Sequence, residues 1–466
     1  MKKICIVGGG SAGLITALIL KNRFSELQID IIKSDKIGTI GIGEGSTEHF
    51  KDFMRFCGIT NEEIIKETGA TIKYGILFKQ WLKHDYVHNV TSSISDIEYG
   101  QYKAGYAYAV INKLKPNEYT DQCVFDNKIY NKYIPNQFHF DALKLNNFLI
   151  KKCKELNIKI IIDEIVKVNS SNNKITSIET KTKKYIYDFY IDSSGFKKLL
   201  ISKLGAKWKS YKEYLPINQA IVFQTKDTEK YPLTTISVKL KYGWLFQIPV
   251  QGRWGNGYIF DNNYINTEQA KEEVETYLGH PINIGKSIKF DTGCLDKCWV
   301  GNCLAIGLSC NFIEPLEATS IGSVIQQSFL LMHLLYNYSE QDISLYNKKY
   351  TEIMENMRDF VSLHYYYDDH YKIPESLKIL LSKWKNRLPI AEDFSSNSYI
   401  LFHPHNFIVL LKEYNLFNIN NIKKEFDALD PSLKKLVQTK FKDYNNYYKN
   451  CTDKISHKEF LKSIYD

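Results

Sequence analysis

A glycine-rich loop near the start of the chain carries the clearest chemical pattern in the sequence. The apolar run Ile4–Val7 leads into a G-x-G-x-x-G spacing, and a helical pattern follows over residues 14–20. Glycines spaced in this way let the backbone turn tightly and approach a pyrophosphate, which the N–H groups at the start of the next helix can bind. Because the motif stands between a strand and a helix, a dinucleotide site is favoured over a plain glycine turn. The site comprises Gly8, Gly9, Gly10, Ser11, Ala12 and Gly13.

The residues after the predicted second strand, Leu27–Ile32, indicate which dinucleotide binds. Lys33 and Ser34 stand where NAD-binding proteins carry an acidic residue for the ribose hydroxyl, so the pattern favours FAD, and we assign both residues to its binding. A second glycine-rich loop then precedes a predicted helix over residues 49–57. Its alternative role is a mobile loop that caps this helix. The cofactor residues that we assign to this loop are Ile42, Gly43, Glu44 and Gly45.

Lys73 lies in a segment, Ala70–Trp81, whose apolar residues alternate with others. The alternation predicts one strand with an apolar face and places Lys73 on the opposite face. A lysine near the start of a strand is more often a solvated strand end than a catalytic group, so the pattern alone favours the solvated state.

A second informative block covers residues 299–321. It predicts a strand over Cys303–Ile306, a turn at Gly307 and a helix that begins near Thr319. The N-terminus of such a helix can hold an anion or the pyrimidine edge of a flavin, so Gly307 and Ile321 are assigned to the cofactor. Glu317 stands one turn before the helix.

The composition bounds the class of protein. The chain has 466 residues, of which 44% are hydrophobic and 24% charged, so a globular protein of two or three domains is expected. No apolar run reaches the length of a membrane span and no signal peptide is visible, so we expect a cytoplasmic protein without a membrane partner. The net charge of +9 is spread widely and argues against nucleic acid. The nine cysteines lack zinc spacing, so buried thiols are favoured over metal ligands and no metal is expected.

The remaining elements must position these groups. A helix capped by Asp141 is predicted from the segment Gln137–Asp141 to about residue 156, and a hairpin turns near residues 170–173. The segment over residues 241–260 predicts a second hairpin, whose aromatic residues Trp244 and Phe246 suit the core of a sheet. The part after residue 322 is mostly helical, whereas residues 84–136 give no clear pattern.

Together these motifs resemble the flavin-dependent halogenases of the tryptophan-halogenase type. The resemblance extends from residue 8 to about residue 367 in the order of that family. The segment around Lys73 and the block that ends in EPLEATSI are its most specific parts, since flavin monooxygenases share only the nucleotide motifs. The matching segments read GGGSAG, GIGEGST, ATIKYGILFKQW, FHFD, DSSGF, GWLFQIP, GNCLAIGLSCNFIEPLEATSI and RDFVSLHYYY.

The resemblance implies a mechanism and a role for several residues. Reduced FAD (FADH2) and O2 would form a flavin hydroperoxide, which halide attacks to give hypohalous acid. The acid would pass along a tunnel to Lys73, which would present the electrophilic halogen to an electron-rich aromatic ring of the indole or phenol type. Glu317 would polarise the acid or take the ring proton, Glu314 would be structural, and Thr319 and Ser320 would hold the halide.

The resemblance also implies an architecture. An α/β fold is expected, with a Rossmann-type FAD core like those of glutathione reductase and flavin monooxygenases, a mixed substrate sheet and a helical C-terminal module. The FAD core would lie within residues 1–330, mainly in 1–70, 137–205 and 290–330. Substrate-sheet segments 71–136 and 206–289 would interrupt it, and residues 331–466 would complete the substrate pocket.

Two departures from the family pattern bear on specificity. Phe246 stands in place of the second tryptophan of the family motif W-x-W-x-I-P, and Ser320 stands in place of a glycine. A serine restricts the backbone where positive φ is needed, so we expect bromide, and iodide, to compete well with chloride. The tunnel and substrate residues assigned by the resemblance are Trp244, Phe246, Pro249 and Phe402.

The substrate, the partners and the competing functions complete the expectations. Asn397 aligns with the glutamate by which tryptophan halogenases hold the substrate ammonium, with Leu401 and Phe402 at their aromatic pair, so free tryptophan is not expected to be preferred. No second Rossmann motif for NAD(P)H is visible, which implies a separate flavin reductase; a homo-oligomer is compatible with the sequence. The alternatives are a flavin monooxygenase or oxidase of an aromatic compound, or a non-catalytic flavin-binding protein.

Overall fold

The structure is a computed structural model that describes residues 2–36, 43–89, 102–114, 123–124, 126–129, 137–228, 230–395, 397–450, 452 and 454–466. Its longer helices are α1 (Ser11–Arg23), α2 (His49–Phe56), α3 (Asn61–Thr68), α4 (Tyr102–Ile111), α5 (Ala142–Glu155), α6 (Thr267–Leu278), α7 (Thr319–Leu334), α8 (Glu340–His364), α9 (Glu375–Trp384), α10 (Pro404–Glu413), α11 (Ile419–Asp427), α12 (Pro431–Asn450) and α13 (His457–Tyr465).

The strands of the first half are β1 (Lys3–Val7), β2 (Gln28–Lys33), β3 (Gly43–Gly45), β4 (Thr71–Lys73), β5 (Gly75–Lys79), β6 (Tyr86–Asn89), β7 (Lys128–Ile129), β8 (Gln137–Asp141), β9 (Lys159–Ile162), β10 (Ile165–Ser171), β11 (Lys174–Thr180), β12 (Lys184–Tyr185) and β13 (Phe189–Asp192). Those of the second half are β14 (Trp208–Ser210), β15 (Gln219–Lys226), β16 (Thr234–Lys239), β17 (Gly243–Val250), β18 (Arg253–Phe260), β19 (Ile284–Lys289), β20 (Gly293–Leu295), β21 (Trp299–Val300), β22 (Cys303–Ala305), β23 (Asn311–Phe312) and β24 (Ile455–Ser456).

A six-stranded sheet, in the order β21-β22-β13-β1-β2-β9, carries the glycine loop at the end of β1. Strands β22, β13, β1, β2 and β9 are parallel, and only β21 runs antiparallel. The Ile4–Val7 segment of β1 is buried on both faces, as expected for a parallel sheet covered by helices, and α1 packs on α5 and α7. The expected Rossmann-type α/β core is therefore present.

A seven-stranded sheet, in the order β19-β15-β18-β17-β16-β5-β6, lies beside a three-stranded sheet of β3, β8 and β4. The predicted single strand over residues 70–81 is wrong, because the chain leaves the small sheet after β4 and enters the large one at β5. The Tyr74 N–H bonds the Leu233 carbonyl between them. Gly75 allows the crossing, since a Cβ there would lie 2.5 Å from the His88 carbonyl oxygen.

Other local predictions are confirmed or corrected by the element bounds. Asp141 caps α5 by accepting from the Leu143 and Lys144 N–H groups, as expected, but Gln137–Asp141 is a strand and not the start of that helix. The first hairpin turns at Asn172 and Asn173, both of which have positive φ. The second hairpin forms between β17 and β18.

The C-terminal part is mainly helical and returns to the small sheet. Strand β24 pairs with β7, and α13 packs against α3. The His457 ring joins this end to β4, because its Nε2 accepts from the Ile72 N–H at 2.9 Å and its Nδ1 lies 2.8 Å from the Tyr231 carbonyl. Within the described ranges, no helix is long and apolar enough to cross a membrane.

Candidate active site

The glycine loop forms an open cradle at the N-terminus of α1. Gly8 has φ +119°, and a Cβ there would lie 2.1 Å from the Ser193 carbonyl oxygen. Gly13 is equally constrained, since its Cβ would lie 2.4 Å from the Gly8 oxygen. Gly10, in contrast, has no atom within 4 Å of a Cβ position and caps α1 without a side-chain bond. The free N–H groups and open space at this end of the helix fit the pyrophosphate of FAD.

The other residues assigned to the cofactor fall into two groups. Lys33 lies against Gly9, whose Cβ would be 2.8 Å from the lysine Cβ, while Ser34 follows at the end of β2. Gly307 also lies beside the loop, because its Cβ would be 2.6 Å from the Ala12 Cβ. The second group is the glycine strand β3, and burial raises the pKa of its Glu44 to about 7. Ile42 lies outside the described residues.

Lys73 is buried, with 1% of its surface exposed, so the prediction of a solvated strand end from the pattern alone is wrong. Its Nζ donates to the Ser46 carbonyl oxygen at 2.7 Å. Burial lowers the pKa of Lys73 to about 8, although the Glu317 charge opposes this shift. A lysine with such a pKa is present as both ammonium and amine near neutral pH, so it can donate hydrogen bonds or act as a nucleophile.

Glu317 is buried between two histidines. Its Oε2 accepts from His88 Nδ1 at 2.8 Å, and its Oε1 lies 2.8 Å from His364 Nε2. Burial alone would raise the pKa of Glu317, but the two imidazoles outweigh it and hold the pKa at about 2. The carboxylate is therefore ionised, and its charge also acts on Lys73.

The two histidines are fixed from behind by polar groups. His88 Nε2 lies 3.3 Å from the Asn406 amide nitrogen on α10. His364, at the end of α8, has Nδ1 3.0 Å from the Tyr86 hydroxyl. The Tyr414 hydroxyl donates to the His364 carbonyl at 2.7 Å and lies 3.2 Å from Tyr86. Helices of the C-terminal part thus orient the groups that hold Glu317.

The N-terminus of α7 follows Glu317 directly. Ala318, the capping residue, has φ +54° and makes no side-chain cap bond, so the first N–H groups of this 16-residue helix lack a capping partner. Thr319 is buried, and the side chain of Ser320 is exposed. Ser320 is helical and does not have positive φ. The expectation that a serine at this position restricts the backbone is therefore wrong. The strained position is Ala318, because an alanine Cβ opposes positive φ.

The aromatic residues of β17 line a buried region next to the second glutamate of the block. The Trp244 Nε1 donates to Glu314 Oε2 at 2.8 Å, and the Tyr365 hydroxyl donates to the same oxygen at 2.8 Å. Burial raises the pKa of Glu314 to about 7, which these bonds partly oppose. Phe246 packs against Gly257, where a Cβ would lie 2.3 Å from the ring. The Pro249 carbonyl accepts from the Thr71 hydroxyl in β4.

Phe402 and Asn397 belong to the predicted substrate end of the protein. The Phe402 ring stacks on Phe360 with centroids 3.9 Å apart and is almost fully buried. The Asn397 side chain is committed to the backbone, since its amide donates to the Lys349 carbonyl and its oxygen accepts from the Tyr399 N–H. Asn397 therefore serves local structure.

Sequence reasoning missed the histidines that hold Glu317. His88 stands in the stretch without a clear pattern, and His364 lies in the segment RDFVSLHYYY, where it was not assigned a role. A signal was present for His364, because a histidine at the end of a long amphipathic helix near a glutamate motif is a candidate for acid–base chemistry. His88 carried no such signal, since its contact with Glu317 spans 229 residues of sequence.

The clustered cysteines Cys294, Cys298, Cys303 and Cys310 are buried. Burial raises the pKa of Cys298, Cys303 and Cys310, so these thiols are protonated. No group of residues in the described part of the chain could hold a metal ion. The burial of these residues agrees with the expectation that the clustered cysteines are buried thiols.

Comparisons with known proteins extend over most of the chain. A family model described as tryptophan halogenase matches residues 3–418. Tryptophan 6-halogenase SttH of Streptomyces toxytricini is 27% identical over 475 residues, with 88% of each chain covered. Tryptophan 7-halogenase RebH of Lentzea aerocolonigenes is 27% identical, with 80% of this chain and 77% of RebH covered. A tryptophan halogenase structure from Shewanella frigidimarina has the same fold, with a TM-score of 0.91 at 23% identity over 100% of this chain and 97% of that one.

Proposed function

The chain belongs to the tryptophan halogenase family, and we propose that it is a flavin-dependent halogenase that transfers electrophilic halogen to an electron-rich aromatic substrate through Lys73. The observation that carries the proposal is a buried lysine, whose pKa is about 8, near enough to be affected by the charge of a glutamate held between two histidines. Such perturbed, buried groups cluster at reaction centres.

FAD and a halide ion are the small molecules that the family requires. The glycine loop, Gly307 and the end of β2 would hold FAD, and the uncapped N-terminus of α7 at Thr319 offers N–H donors for a halide. When bound, reduced FAD would activate O2, and O2 would supply the oxidising equivalents that convert halide to hypohalous acid. The lack of a second Rossmann motif for NAD(P)H supports a separate reductase as the source of reduced FAD.

Lys73 suits the transfer of halogen because of its surroundings. The Ser46 carbonyl fixes its Nζ, and burial keeps bulk water from competing for the donor protons. The ammonium can donate to the oxygen of hypohalous acid, while the amine could carry the halogen covalently. Both forms are populated when the pKa lies near 8.

Glu317 suits the removal of the ring proton after halogen transfer. An arenium ion loses its proton readily, so a weakly basic carboxylate is a sufficient acceptor as long as it stays ionised. His88 and His364 secure that state, and His364 is itself kept largely neutral because burial lowers its pKa. The same carboxylate would stabilise positive charge that develops on the ring.

The test is product analysis with FAD, a flavin reductase, NADH and each halide, using indoles and phenols as substrates. The proposal expects halide-dependent products that carry one halogen, identified by mass spectrometry. A hydroxylated product formed without halide would support a flavin monooxygenase instead. Tight FAD binding without halide-dependent turnover of any aromatic compound would support a non-catalytic flavin protein.

A further inference from the structure

One face of the small sheet β3-β8-β4 is lined by buried polar side chains. In the antiparallel pair of β4 and β8, Lys73 lies opposite Gln137 and Thr71 lies opposite His139. Because side chains alternate along a strand, these four residues share one face, and Ile72 lies on the other. All four polar residues are almost fully buried, with Gln137 0% exposed. The face is therefore a closed polar surface that includes the proposed catalytic lysine.

The histidine and threonine of this face are satisfied by protein partners. The Thr71 hydroxyl donates to the Pro249 carbonyl at 2.7 Å, so it accepts from His139 Nδ1 at 3.2 Å. The other His139 nitrogen, Nε2, then accepts from the Thr235 hydroxyl at 3.0 Å. Burial, with a further contribution from the Lys73 charge, holds the pKa of His139 well below its usual value, which agrees with this neutral tautomer. His139 has no donor left for a ligand.

Gln137 differs from its neighbours. Neither its Nε2 nor its Oε1 has a hydrogen-bond partner within the described part of the chain. Leaving one buried polar group unsatisfied costs about 1–3 kcal/mol, and here the donor and the acceptor of one amide are both unused. An apolar residue of similar shape would avoid this cost. The amide therefore indicates a polar ligand that is absent from the protein alone.

The position of Gln137 restricts that ligand to the surroundings of Lys73. Directly opposed residues in an antiparallel pair have Cβ atoms about 5 Å apart, so both side chains can reach one small molecule. Lys73 uses one of its three donors on Ser46, which leaves donors for the same molecule. An ammonium can only donate, whereas the amide can also accept. Together they match a small group that both accepts and donates, such as a hydroxyl.

We propose that Gln137 and Lys73 jointly bind hypohalous acid, with the amide oxygen of Gln137 accepting the acid's O–H and Lys73 donating to its oxygen. The inference rests on the proposed halogenase function, which supplies hypohalous acid. Two hydrogen bonds at the oxygen fix the O–halogen bond in direction, so that the halogen can face the aromatic ring. With Lys73 alone, the acid could rotate about a single contact and escape.

The proposal gives opposite expectations for stability and for halogen delivery. In Gln137→Leu the unsatisfied amide is gone, so the urea midpoint of unfolding should be equal to or above that of the wild type. The fraction of hypohalous acid that halogenates the aromatic substrate should fall at least tenfold. The acid that leaves the enzyme is measured by its halogenation of monochlorodimedone in solution. Total oxidant, as halogenated product plus halogenated trap, should be unchanged. Thr292→Val, which removes another unsatisfied buried hydroxyl directly before β20 and outside the small sheet, is the matched control and should leave delivery unchanged.

Several results would overturn the proposal. Unchanged delivery in Gln137→Leu would show that the amide does not hold the acid. A raised KM for the aromatic substrate with unchanged trapping would assign the amide to substrate binding instead. Loss of folded protein in both Gln137→Leu and Gln137→Met would assign it a structural role. These outcomes differ from failure of the halogenase proposal itself, in which the wild type yields neither halogenated product nor halogenated trap.

Discussion

Replacement of Glu317 by glutamine tests whether the histidines hold an ionised carboxylate. The pKa of Glu317 is about 2 in the folded protein against an ordinary value of 4.5. One pKa unit corresponds to about 1.4 kcal/mol, so the ionised group stabilises the fold by between about 3 and 4 kcal/mol at neutral pH. Glutamine retains one acceptor oxygen for His88, so we expect Glu317→Gln to lose about 2 kcal/mol.

The sign of the pH dependence follows from the lowered pKa. The stabilisation by Glu317 is fully present above pH 4.5 and is lost as the pH falls toward 2. The difference in the free energy of unfolding between wild type and Glu317→Gln should therefore be largest at pH 7 and smaller at pH 4. Urea denaturation followed by fluorescence at both pH values measures it, with the exposed-residue variant Glu26→Gln as control.

An equal or higher stability of Glu317→Gln at pH 7 would refute this reasoning, because it would mean that the carboxylate is not favourably paired. A difference that grows as the pH falls would also refute it. Halogenation by Glu317→Gln should be severely slowed but measurable, since Lys73 would still deliver halogen. A wild-type rate would remove Glu317 from the mechanism.

Three further replacements, one halide competition and one substrate comparison test other parts of the proposed mechanism and fold. Lys73→Met should abolish halogenation without lowering the urea midpoint of unfolding at pH 7. Burial of the charged lysine destabilises the fold fully below the folded pKa of about 8, and this destabilisation disappears above the ordinary pKa of about 10.5. A lower urea midpoint in the variant would contradict this. In a competition between equimolar bromide and chloride, Ser320→Gly should change the ratio of brominated to chlorinated product by less than about threefold, because position 320 is helical and does not need glycine. A larger change would show that the serine side chain shapes the halide site. Bromide should compete well with chloride in that assay because it is more easily oxidised, and clear chloride selectivity would refute this. His457→Phe should lower the free energy of unfolding by about 2 kcal/mol or more, because the Ile72 N–H and the Tyr231 carbonyl lose their partner; an unchanged urea midpoint would contradict that. The kcat/KM for free tryptophan should be less than tenfold higher than that for indole and phenol analogues, because Asn397 supplies no charge for the substrate ammonium. A tenfold ratio corresponds to about 1.4 kcal/mol of transition-state binding.

The sequence predicted the nucleotide half of the protein well because its signals are local. The glycine spacing directly after a four-residue apolar run required a tight turn, and the structure has Gly8 at positive φ against Ser193. The helix predicted to begin near Thr319 begins at that residue. Each of these depends on neighbours within a few positions, which periodicity and turn chemistry can resolve.

The environment of the site could not be predicted in the same way. Lys73 looked solvated from its strand pattern because the chain passes between two sheets at Tyr74, and burial by distant elements leaves no local signal. The contact of His88 with Glu317 and that of His457 with Ile72 join residues hundreds of positions apart. The family resemblance identified Lys73 and Glu317 as candidates, but only the fold reveals what surrounds them.

The most direct test of the central claim is a comparison of wild type and Lys73→Ala in one assay with FAD, reductase, NADH, bromide and an indole substrate. We expect a brominated product from the wild type and none from Lys73→Ala, while FAD binding and NADH-linked flavin oxidation persist in both. Bromination by Lys73→Ala at most of the wild-type rate would show that halogen transfer does not need Lys73.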